Sequence, residues 1–488
     1  MHSPIVTTAQ MRAAEEAAFA RGISADALME KAGEGIARAL TKFFPGIGKC
    51  IVVAGKGHNA GDAFVAARFL AERGWEIGTR LAYPEEELSS LTSEKLRALR
   101  EDSNPKSESS LTIVLDGLLG LGAQPPLREP IRSACREVNA LRESSPIVAI
   151  DLPSGLDGDS GAADDDCVVA DFTITIAAAK EGLVAADAIN FVGRLEVVPL
   201  PDLQIAADGS AGELATAETL RDLLPRRKFS AYKNQFGRIG IVAGSRGFTG
   251  AAVLCSLGAL RAGAGLVELF VPEEIYEIVA AAAAPEVMVK PVKAYADLPN
   301  EPIDVWAIGP GLGKSRAKEV LKLIGEAKQP MVVDADALNI LSERMATLQQ
   351  AKGPRLLTPH PGEMNRLFHT EKMSRAEIAR KFCAQHDVTL LLKGSRTIVT
   401  SRAAPLSYNT TGNPGMATGG MGDVLTGVCG ALLGQKLLPN DAARLGAWIC
   451  GRAAELALSA GGASEESLLP RDLIEHLGAA FRDLHRSR

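Results

Sequence analysis

The sequence has no C-x-x-C pair, no dense block of Lys or Arg, and no apolar run long enough to cross a bilayer. Its seven cysteines (Cys50, Cys135, Cys167, Cys255, Cys383, Cys429 and Cys450) are scattered, mostly within apolar runs. That excludes a zinc ribbon or a disulfide framework and points to reduced, buried thiols in a cytoplasmic protein. A formal net charge of −6 without a basic block argues against nucleic acid as a partner. Arg12, Glu15 and Glu16 interrupt the N-terminal segment too early for a secretion signal. The alanine run Ala280–Ala284 stops at Pro285, too short to span a membrane. A soluble, cytoplasmic protein is therefore expected. The 46% hydrophobic and 23% charged content is ordinary, and 488 residues exceed one core, so two or more domains are expected.

The most informative stretch is Asn413–Gly427, Asn-Pro-Gly-Met-Ala-Thr-Gly-Gly-Met-Gly-Asp-Val-Leu-Thr-Gly. Gly415, Gly419, Gly420 and Gly422 crowd a short loop, and an apolar run from Val424 to Leu433 follows. A helix starting near Gly422 would aim free N–H groups and its positive dipole end into that loop, a setting for phosphate. Asp423 in the first turn would repel phosphate unless it has chemical work, such as taking a proton from a hydroxyl. The plainer alternative is a glycine-rich turn with Asp423 as a helix cap.

In the first half, Thr7-x-x-Gln10 reads as a capping box opening a helix through Phe19, and a second helix runs from Asp26. The strand Lys49–Ala54 leads into a glycine loop, Gly55–Asp62, and a helix over Ala63–Glu72, an arrangement that cradles phosphate or ribose. Further strands are expected at Glu76–Ala82, Leu111–Leu115, Ile147–Ile150, Phe172–Ile176 and Leu195–Val198. Helices at Ser93–Arg100 and Ile131–Arg142 separate several of them, as in a doubly wound, mostly parallel α/β sheet. Asn59, Asp62, Asp116, Asp151 and Ser154 all fall at strand ends, where such sheets bind ligands. Any one of these Asp residues could be only a cap or turn former. Oxygens from Asn59, Asp116 and Ser154 would suit a hard cation.

Leu200–Gly212 lacks periodicity, and the domain boundary falls there: 1–210 and 211–488. Beyond it, strands at Ile239–Ala243, Leu266–Val271, Val287–Val289, Val305–Ile308 and Met331–Val333 alternate with helices, including Ala251–Ala262. Gly244–Gly250, Gly309–Gly313 and Thr358–Glu363 close strands. Prolines on both sides hold His360 extended, where it is either structural or functional. The strand Leu390–Leu392 leads into Lys393-Gly-Ser-Arg-Thr397, a candidate nucleotide contact.

Gly57-His-Asn-Ala-Gly-Asp62, Asp116-x-x-x-Gly120-x-Gly122 and Ile150-Asp-Leu-Pro-Ser-Gly155 together resemble the epimerase domain of bifunctional NAD(P)H-hydrate repair enzymes. The family's glycine loop usually reads Gly-Asn-Asn-Gly-Gly-Asp-Gly; this chain has His58, Ala60 and Ala63 instead. The resemblance implies a Rossmann-like three-layer domain in which Asn59, Asp116 and Ser154 bind K+. It assigns the hydrate to His58, Asn59, Ala60, Gly61 and Asp62, to Gly120, Leu121, Gly122, Ala123, Gln124, Pro125 and Pro126, and to Asp151. Lys180 matches a lysine near the family's site, so Asp151 and Lys180 are implied to be catalytic. The second half resembles the ribokinase-like dehydratase domain of the same enzymes. There Lys393, Gly394, Ser395, Arg396, Thr397 and Gly422 would contact ADP (or ATP) with Mg2+. Ala251, Gly311, His360 and the catalytic Asp423 would face the hydrate. Tyr232 and Met421 depart from the usual family residues. The implied activity is isomerase and lyase in one chain: epimerisation of R and S hydrates, then ADP-dependent dehydration of the S epimer to NAD(P)H, with AMP and phosphate as products. A homo-oligomer acting on small molecules is expected. The alternatives are a ribokinase-like small-molecule kinase with a fused nucleotide-binding module, and a first domain that only senses or scaffolds.

Overall fold

The computed structural model describes residues 3–101, 109–122, 124–207, 209–224 and 226–486. The chain divides into two compact units, Ser3–Ala211 and the chain from Gly212 onward.

In the first unit, β1 (Ile5–Val6) precedes α1 (Thr8–Ala20) and α2 (Ala25–Phe43). Both helices begin as the sequence suggests: Thr7 and Gln10 form a capping box, and the Ser24 side chain accepts from Ala27 N. Then follow β2 (Lys49–Ala54), α3 (His58–Ala71), β3 (Glu76–Leu81), α4 (Ser90–Glu101), β4 (Thr112–Gly117), α5 (Ile131–Leu141), β5 (Ile147–Ile150), β6 (Phe172–Ile176), β7 (Ala179–Lys180), α6 (Ile189–Val192) and β8 (Arg194–Val198). A six-stranded sheet runs β3-β2-β4-β5-β6-β8, parallel throughout, and β1 pairs with β7 beside it. Alternate strand residues face opposite layers, as the two-residue period of a strand requires. Cys50, Val52 and Ala54 pack with α2, α3 and α4, while Val53, Val114, Ile147 and Ala149 pack with α5. This is a three-layer doubly wound unit.

One element differs from the sequence reading. The helix expected over Ala63–Glu72 begins at His58, with Gly57 as an extended N-cap, so most of the supposed glycine loop is the first turn of α3. Ala60 and Ala63 are fully buried against the sheet. Helix propensity and packing therefore favour alanine here, and neither position needs a positive φ.

The second unit contains β9 (Glu213–Ala215), α7 (Ala217–Leu220), β10 (Arg238–Val242), α8 (Thr249–Arg261), β11 (Leu266–Pro272), α9 (Tyr276–Ala282), β12 (Met288–Val292), β13 (Val305–Ile308), α10 (Ala317–Glu326), β14 (Met331–Val333), α11 (Ala335–Ser342), α12 (Ala346–Gln349) and β15 (Arg355–Leu357). It continues with α13 (Pro361–Leu367), α14 (Arg375–Gln385), β16 (Thr389–Leu392), β17 (Ile398–Ser401), β18 (Ser407–Asn409), α15 (Met421–Gly434), α16 (Pro439–Ser459) and α17 (Pro470–Arg486). The ten-stranded sheet has the order β12-β11-β10-β13-β14-β15-β16-β17-β18-β9. It is parallel as far as β16, and then β16-β17-β18 turns antiparallel. That meander had no counterpart in the sequence reading, because its short strands lack a clear alternation. Helices α8, α15, α16 and α17 cover one face in a single core with Ile239, Ile241, Ala307, Val332 and Leu356.

Helix α15 is apolar on nearly every side because it is buried on nearly every side. It lies close to α8: a Cβ on Gly427 would stand 2.0 Å from the Cys255 carbonyl oxygen. Gly427→Ala would gain about 1 kcal/mol of helix propensity, but a backbone oxygen cannot rotate away. We expect a net loss of about 1–3 kcal/mol from forced separation of the helices, read as a lower urea midpoint. An unchanged or raised midpoint would contradict this packing.

Candidate active sites

In the first unit, the carboxyl ends of β2, β4, β5 and β6 hold two adjoining sets of polar groups. The first centres on Asp116, fully buried at the end of β4. Its Oδ1 accepts the Ser154 hydroxyl at 2.7 Å and Leu118 N–H at 3.2 Å, and its Oδ2 accepts Ser154 N–H at 2.8 Å. Burial pushes the Asp116 carboxyl up to about 6 despite these bonds. Asn59, in the first turn of α3, donates Nδ2–H to the Leu119 carbonyl at 2.8 Å. A Cβ on Gly120 would sit 3.3 Å from Asn59 Oδ1, so any other residue there would crowd this oxygen. A buried carboxylate without a cationic partner among the described residues, beside a spare amide oxygen and a hydroxyl, is a donor set that fits a hard monovalent cation.

The second set centres on Asp151, just after β5, which takes a positive φ of 65°. Its Oδ1 accepts Ile176 N–H at 3.2 Å and ion-pairs with Lys180. Lys180 is 1% exposed and also donates to Thr175 Oγ1 and the Ile176 carbonyl, both at 3.1 Å. Asp62, on α3, is held well above the ordinary carboxylate range by burial, then by the charges of Asp151 and Glu15, with Lys180 opposing. Glu15, on α1, is raised for the same reasons, burial first and Asp151 second. The sequence reading had noted Glu15 only as a break in the N-terminal segment. The signal was its place on the same helical face as Met11, Ala14 and Ala18, which are all buried.

The other expected residues divide. Gly120, Leu121 and Gly122 form the turn over Asn59, and Arg12 of α1 donates to the Leu121 carbonyl at 2.8 Å. Gln124, Pro125 and Pro126 continue it at the surface, whereas Ala123 lies outside the described residues. His58 is exposed at the start of α3. Ala60 and Gly61 face the interior, where a Cβ on Gly61 would meet the Met29 sulfur at 2.5 Å.

In the second unit the corresponding edge carries Lys393, just after β16. Its Nζ ion-pairs with Asp334 at 2.7 Å and lies 3.9 Å from Glu363. Burial would lower its pKa, but the Asp334 and Glu363 charges outweigh burial and raise it. Asp334, 1% exposed after β14, also accepts the Thr426 hydroxyl at 2.7 Å. A Cβ on Gly422 would stand 3.2 Å from Lys393 Nζ and 3.7 Å from Asp334 Oδ2. The lysine thus reaches the start of α15. Gly420 caps that helix with φ 95°, a left-handed setting suited to glycine, and no side chain caps its first turn. Its leading N–H groups are thus available to an anion. Asp423, in that turn, is pushed up to about 7 by burial, then by Asp334, with Lys393 opposing.

Around this centre, Asp336 Oδ2 accepts Gly313 N–H at 2.8 Å, fixing the Gly309–Gly313 turn. A Cβ on Gly311 would lie 3.0 Å from that of Ala251, so these two adjoin. His360 is extended (φ −79°, ψ 168°), as its flanking prolines require. It caps α13: Nδ1 accepts Gly362 N–H at 3.0 Å, and Glu363 Oε2 accepts the His360 N–H at 2.9 Å. Arg375 donates to the carbonyls of Leu392, Lys393 and Ser395 at 3.1, 3.0 and 2.6 Å, which clamps the Lys393–Thr397 turn. Asp334, Asp336, Glu363 and Arg375 were not foreseen as site residues. An Asp-x-Asp directly after a buried strand was the available signal.

Two family models match the chain: residues 239–477 match NAD(P)H-hydrate dehydratase, and residues 25–182 match the YjeF-related protein N-terminus. The bifunctional NAD(P)H-hydrate repair enzyme of Moorella thermoacetica is 36% identical, the match covering 98% of this chain and 97% of that one. The enzyme of the same name from Escherichia coli is also 36% identical, over 91% and 88%. Among solved structures, an ADP/ATP-dependent NAD(P)H-hydrate dehydratase from Bacillus subtilis, co-crystallized with ATP/Mg2+, aligns with TM-score 0.51 and 30% identity. That match covers 56% of this chain and 98% of the other.

The raised Asp423 carboxyl stabilises the fold only while protonated. This contribution is complete below the ordinary value of 3.8 and is lost as pH rises through about 7. Asp423→Asn cannot ionise, so its stability relative to wild type should grow between pH 4 and 8 by roughly 2 kcal/mol, discounted for partial solvent access. Urea midpoints at the two pH values test this; parallel pH dependences would refute the assigned shift.

Proposed function

Because this chain belongs to the family of bifunctional NAD(P)H-hydrate repair enzymes, we propose that each compact unit carries one of the two activities. The protein is a metabolite-repair enzyme combining NAD(P)H-hydrate epimerase and nucleotide-dependent dehydratase. The kinase alternative is not favoured, because relatives matched along the whole chain carry the repair name. Seven free, buried cysteines support a reducing, cytoplasmic setting.

For the dehydratase, the observation that carries the reading is a carboxyl held near 7 at the uncapped start of α15, beside the half-buried Lys393. The nucleotide lies along Lys393, Gly394, Ser395, Arg396, Thr397 and Gly422, and the S hydrate against Ala251, Gly311, His360 and Asp423. Asp423 takes the proton of the C6 hydroxyl as the terminal phosphoryl of ADP (or ATP) passes to that oxygen. The first-turn N–H groups of α15 and the Lys393 ammonium stabilise the transferring charge. The C6–O bond then breaks, phosphate leaves with the bonding pair, the ring nitrogen supplies its lone pair, and loss of a C5 proton gives NAD(P)H. With ADP the other product is AMP. Among the described residues no three His, Cys, Asp or Glu converge as a metal site. A carboxylate of the Asp334–Asp336 turn would help hold Mg2+ together with the nucleotide phosphates. When bound, Mg2+ neutralises phosphate charge.

For the epimerase, Asn59, Asp116 and Ser154 hold K+, which supplies the positive charge that buried Asp116 lacks. The Gly120–Pro126 turn, Asp62 and Asp151 hold the hydrate. Asp151, oriented by Lys180, serves as a proton acceptor while R and S interconvert.

The test follows near-ultraviolet absorbance while R/S NADH hydrate is incubated with Mg2+, K+ and ADP. Wild type should recover all the NADH. Asn59→Ala should recover the S portion quickly and the remainder only at the uncatalysed rate. Asp423→Asn should lose turnover, on the order of 10²-fold or more, while still binding nucleotide. Near wild-type dehydration by Asp423→Asn would remove it as the base. A stable phosphorylated product would restore the kinase reading.

A further inference from the structure

We propose that Glu15, on the N-terminal helix, is a proton-transfer residue of the epimerase site, working together with Asp62. The inference rests on the epimerase reading above and extends it to α1, which no sequence motif had connected with the site.

Placement comes first. Strand β1 pairs in parallel with β7, with Val6 opposite Lys180, so the chain enters α1 beside the buried lysine. The start of α1 is fixed from the loop after β5: Asp159 accepts Thr8 N–H at 2.6 Å and the Thr8 hydroxyl at 2.7 Å. One turn on, Arg12 holds the Leu121 carbonyl, within the turn assigned to the hydrate. Glu15 follows at i+3 from Arg12, on the same side of the helix.

On the helical wheel Glu15 falls within the stripe of Met11, Ala14 and Ala18, each at most 4% exposed. Stability alone would place an apolar residue there. Among the described residues no hydrogen bond or ion pair engages the Glu15 carboxyl, and the same is true of Asp62. The charged groups facing Glu15 are Asp151, Lys180 and Arg12, and Asp62 senses both Glu15 and Asp151. Two half-buried, uncommitted carboxyls therefore look onto one ion pair whose lysine is already engaged by Asp151. Such carboxyls cannot readily ionise beside the Asp151 charge, so a proton on one of them is favoured.

Inverting C6 of a cyclic hemiaminal needs such a pair. The acceptor takes the hydroxyl proton, the O–H pair becomes the second C–O bond, and the C6–N1 bond breaks with its electrons on N1. The donor delivers its proton to N1. Rotation about C5–C6 presents the other aldehyde face, and the reverse steps close the ring with both protons returned. Nothing is consumed, and two proton positions are used. Asp151, bound to Lys180, can supply one. A protonated carboxyl from Glu15 or Asp62 supplies the other.

The experiment uses the full-length protein with R/S NADH hydrate, ADP, Mg2+ and K+, from pH 5.5 to 9. The fast S phase reports the dehydratase, and the slow R phase reports the epimerase. Glu15→Gln, which keeps the shape, should slow the R phase by about 10²-fold or more at saturating hydrate, without changing the S phase. Glu15→Asp should restore part of the rate. The wild-type R-phase profile should be bell-shaped, its basic limb set by the raised carboxyl donor and lying above the ordinary carboxylate range, and Glu15→Gln should lose that limb. An R phase of wild-type rate and pH profile in Glu15→Gln would overturn the proposal. A proportional loss in Glu15→Gln with the bell intact, matched by Glu15→Ala, would also overturn it by showing a packing role. If the wild-type R phase only equals the uncatalysed rate while the S phase is normal, the epimerase reading itself fails.

Discussion

Two lysines largely withdrawn from water, each held by an aspartate that follows a parallel strand, shape the electrostatics of both units. An ammonium removed from water is tolerated only with a close, hydrogen-bonded carboxylate. Lys180 has Asp151, Thr175 Oγ1 and the Ile176 carbonyl; Lys393 has Asp334. The consequence falls on the neighbouring acids. Once the lysine's charge is committed, Asp62 and Asp423 stand in the same low-dielectric surroundings with a like charge nearby and only partial compensation. Both carboxyls rise, Asp423 to about 7. Burial first, and the ion pair's aspartate second, thus raise a neighbouring carboxyl above its ordinary range.

The parallel sheets supply the geometry that this constraint needs. Every strand in the parallel region ends on the same edge, so the residues that follow successive strands converge without long-range design. Asp116 closes β4, while Asp151 and Ser154 follow β5; Asp334 follows β14, His360 follows β15, and Lys393 follows β16. Helix N-termini arrive at the same edge. Asn59 rides on the first turn of α3, with Asp62 just beyond it, and Asp423 on the first turn of α15. The helices are held close: α15 lies against α8 where glycine removes the side chain, and Ala63 fits against Gly117 below α3.

Much of this was legible in the sequence because strand-end chemistry is local. The alternation of short apolar runs with helical periodicity carried the α/β layering, an acid closing an apolar run marked Asp116 and Asp151, and an acid between a glycine loop and an apolar run marked Asp423. The boundary of α3 was misread because Gly57 and Gly61 look like loop formers. Tertiary burial of Ala60 and Ala63 decides that turn, and no residue-level preference reports it. The β17–β18 meander escaped because its strands are too short to show a period. Glu15 and Arg375 escaped for a different reason: each acts from an element distant in sequence from the motif it serves, and only the fold brings them together. Asp334 was the avoidable omission, an acid directly after the strand Met331–Val333 and therefore at the edge already suspected.

The two edges differ in one respect that suits them to different tasks. At the second, an uncapped helix start behind a left-handed glycine leaves first-turn N–H groups beside the Lys393 ammonium, donors suited to phosphate. At the first, Gly57 also leaves α3 without a side-chain cap, but the turn behind it is filled by Asn59, bound to Leu119, and by the buried Asp116–Ser154 pair. A site of that kind suits a small cation and proton transfer. Interconversion of epimers needs nothing more, since its two ends differ little in free energy. Expelling hydroxide does need more, because hydroxide must first become a better leaving group. The N–H donors at the start of α15 therefore suit the proposed phosphoryl-assisted step, and the Asp116–Ser154 edge the proposed reversible one.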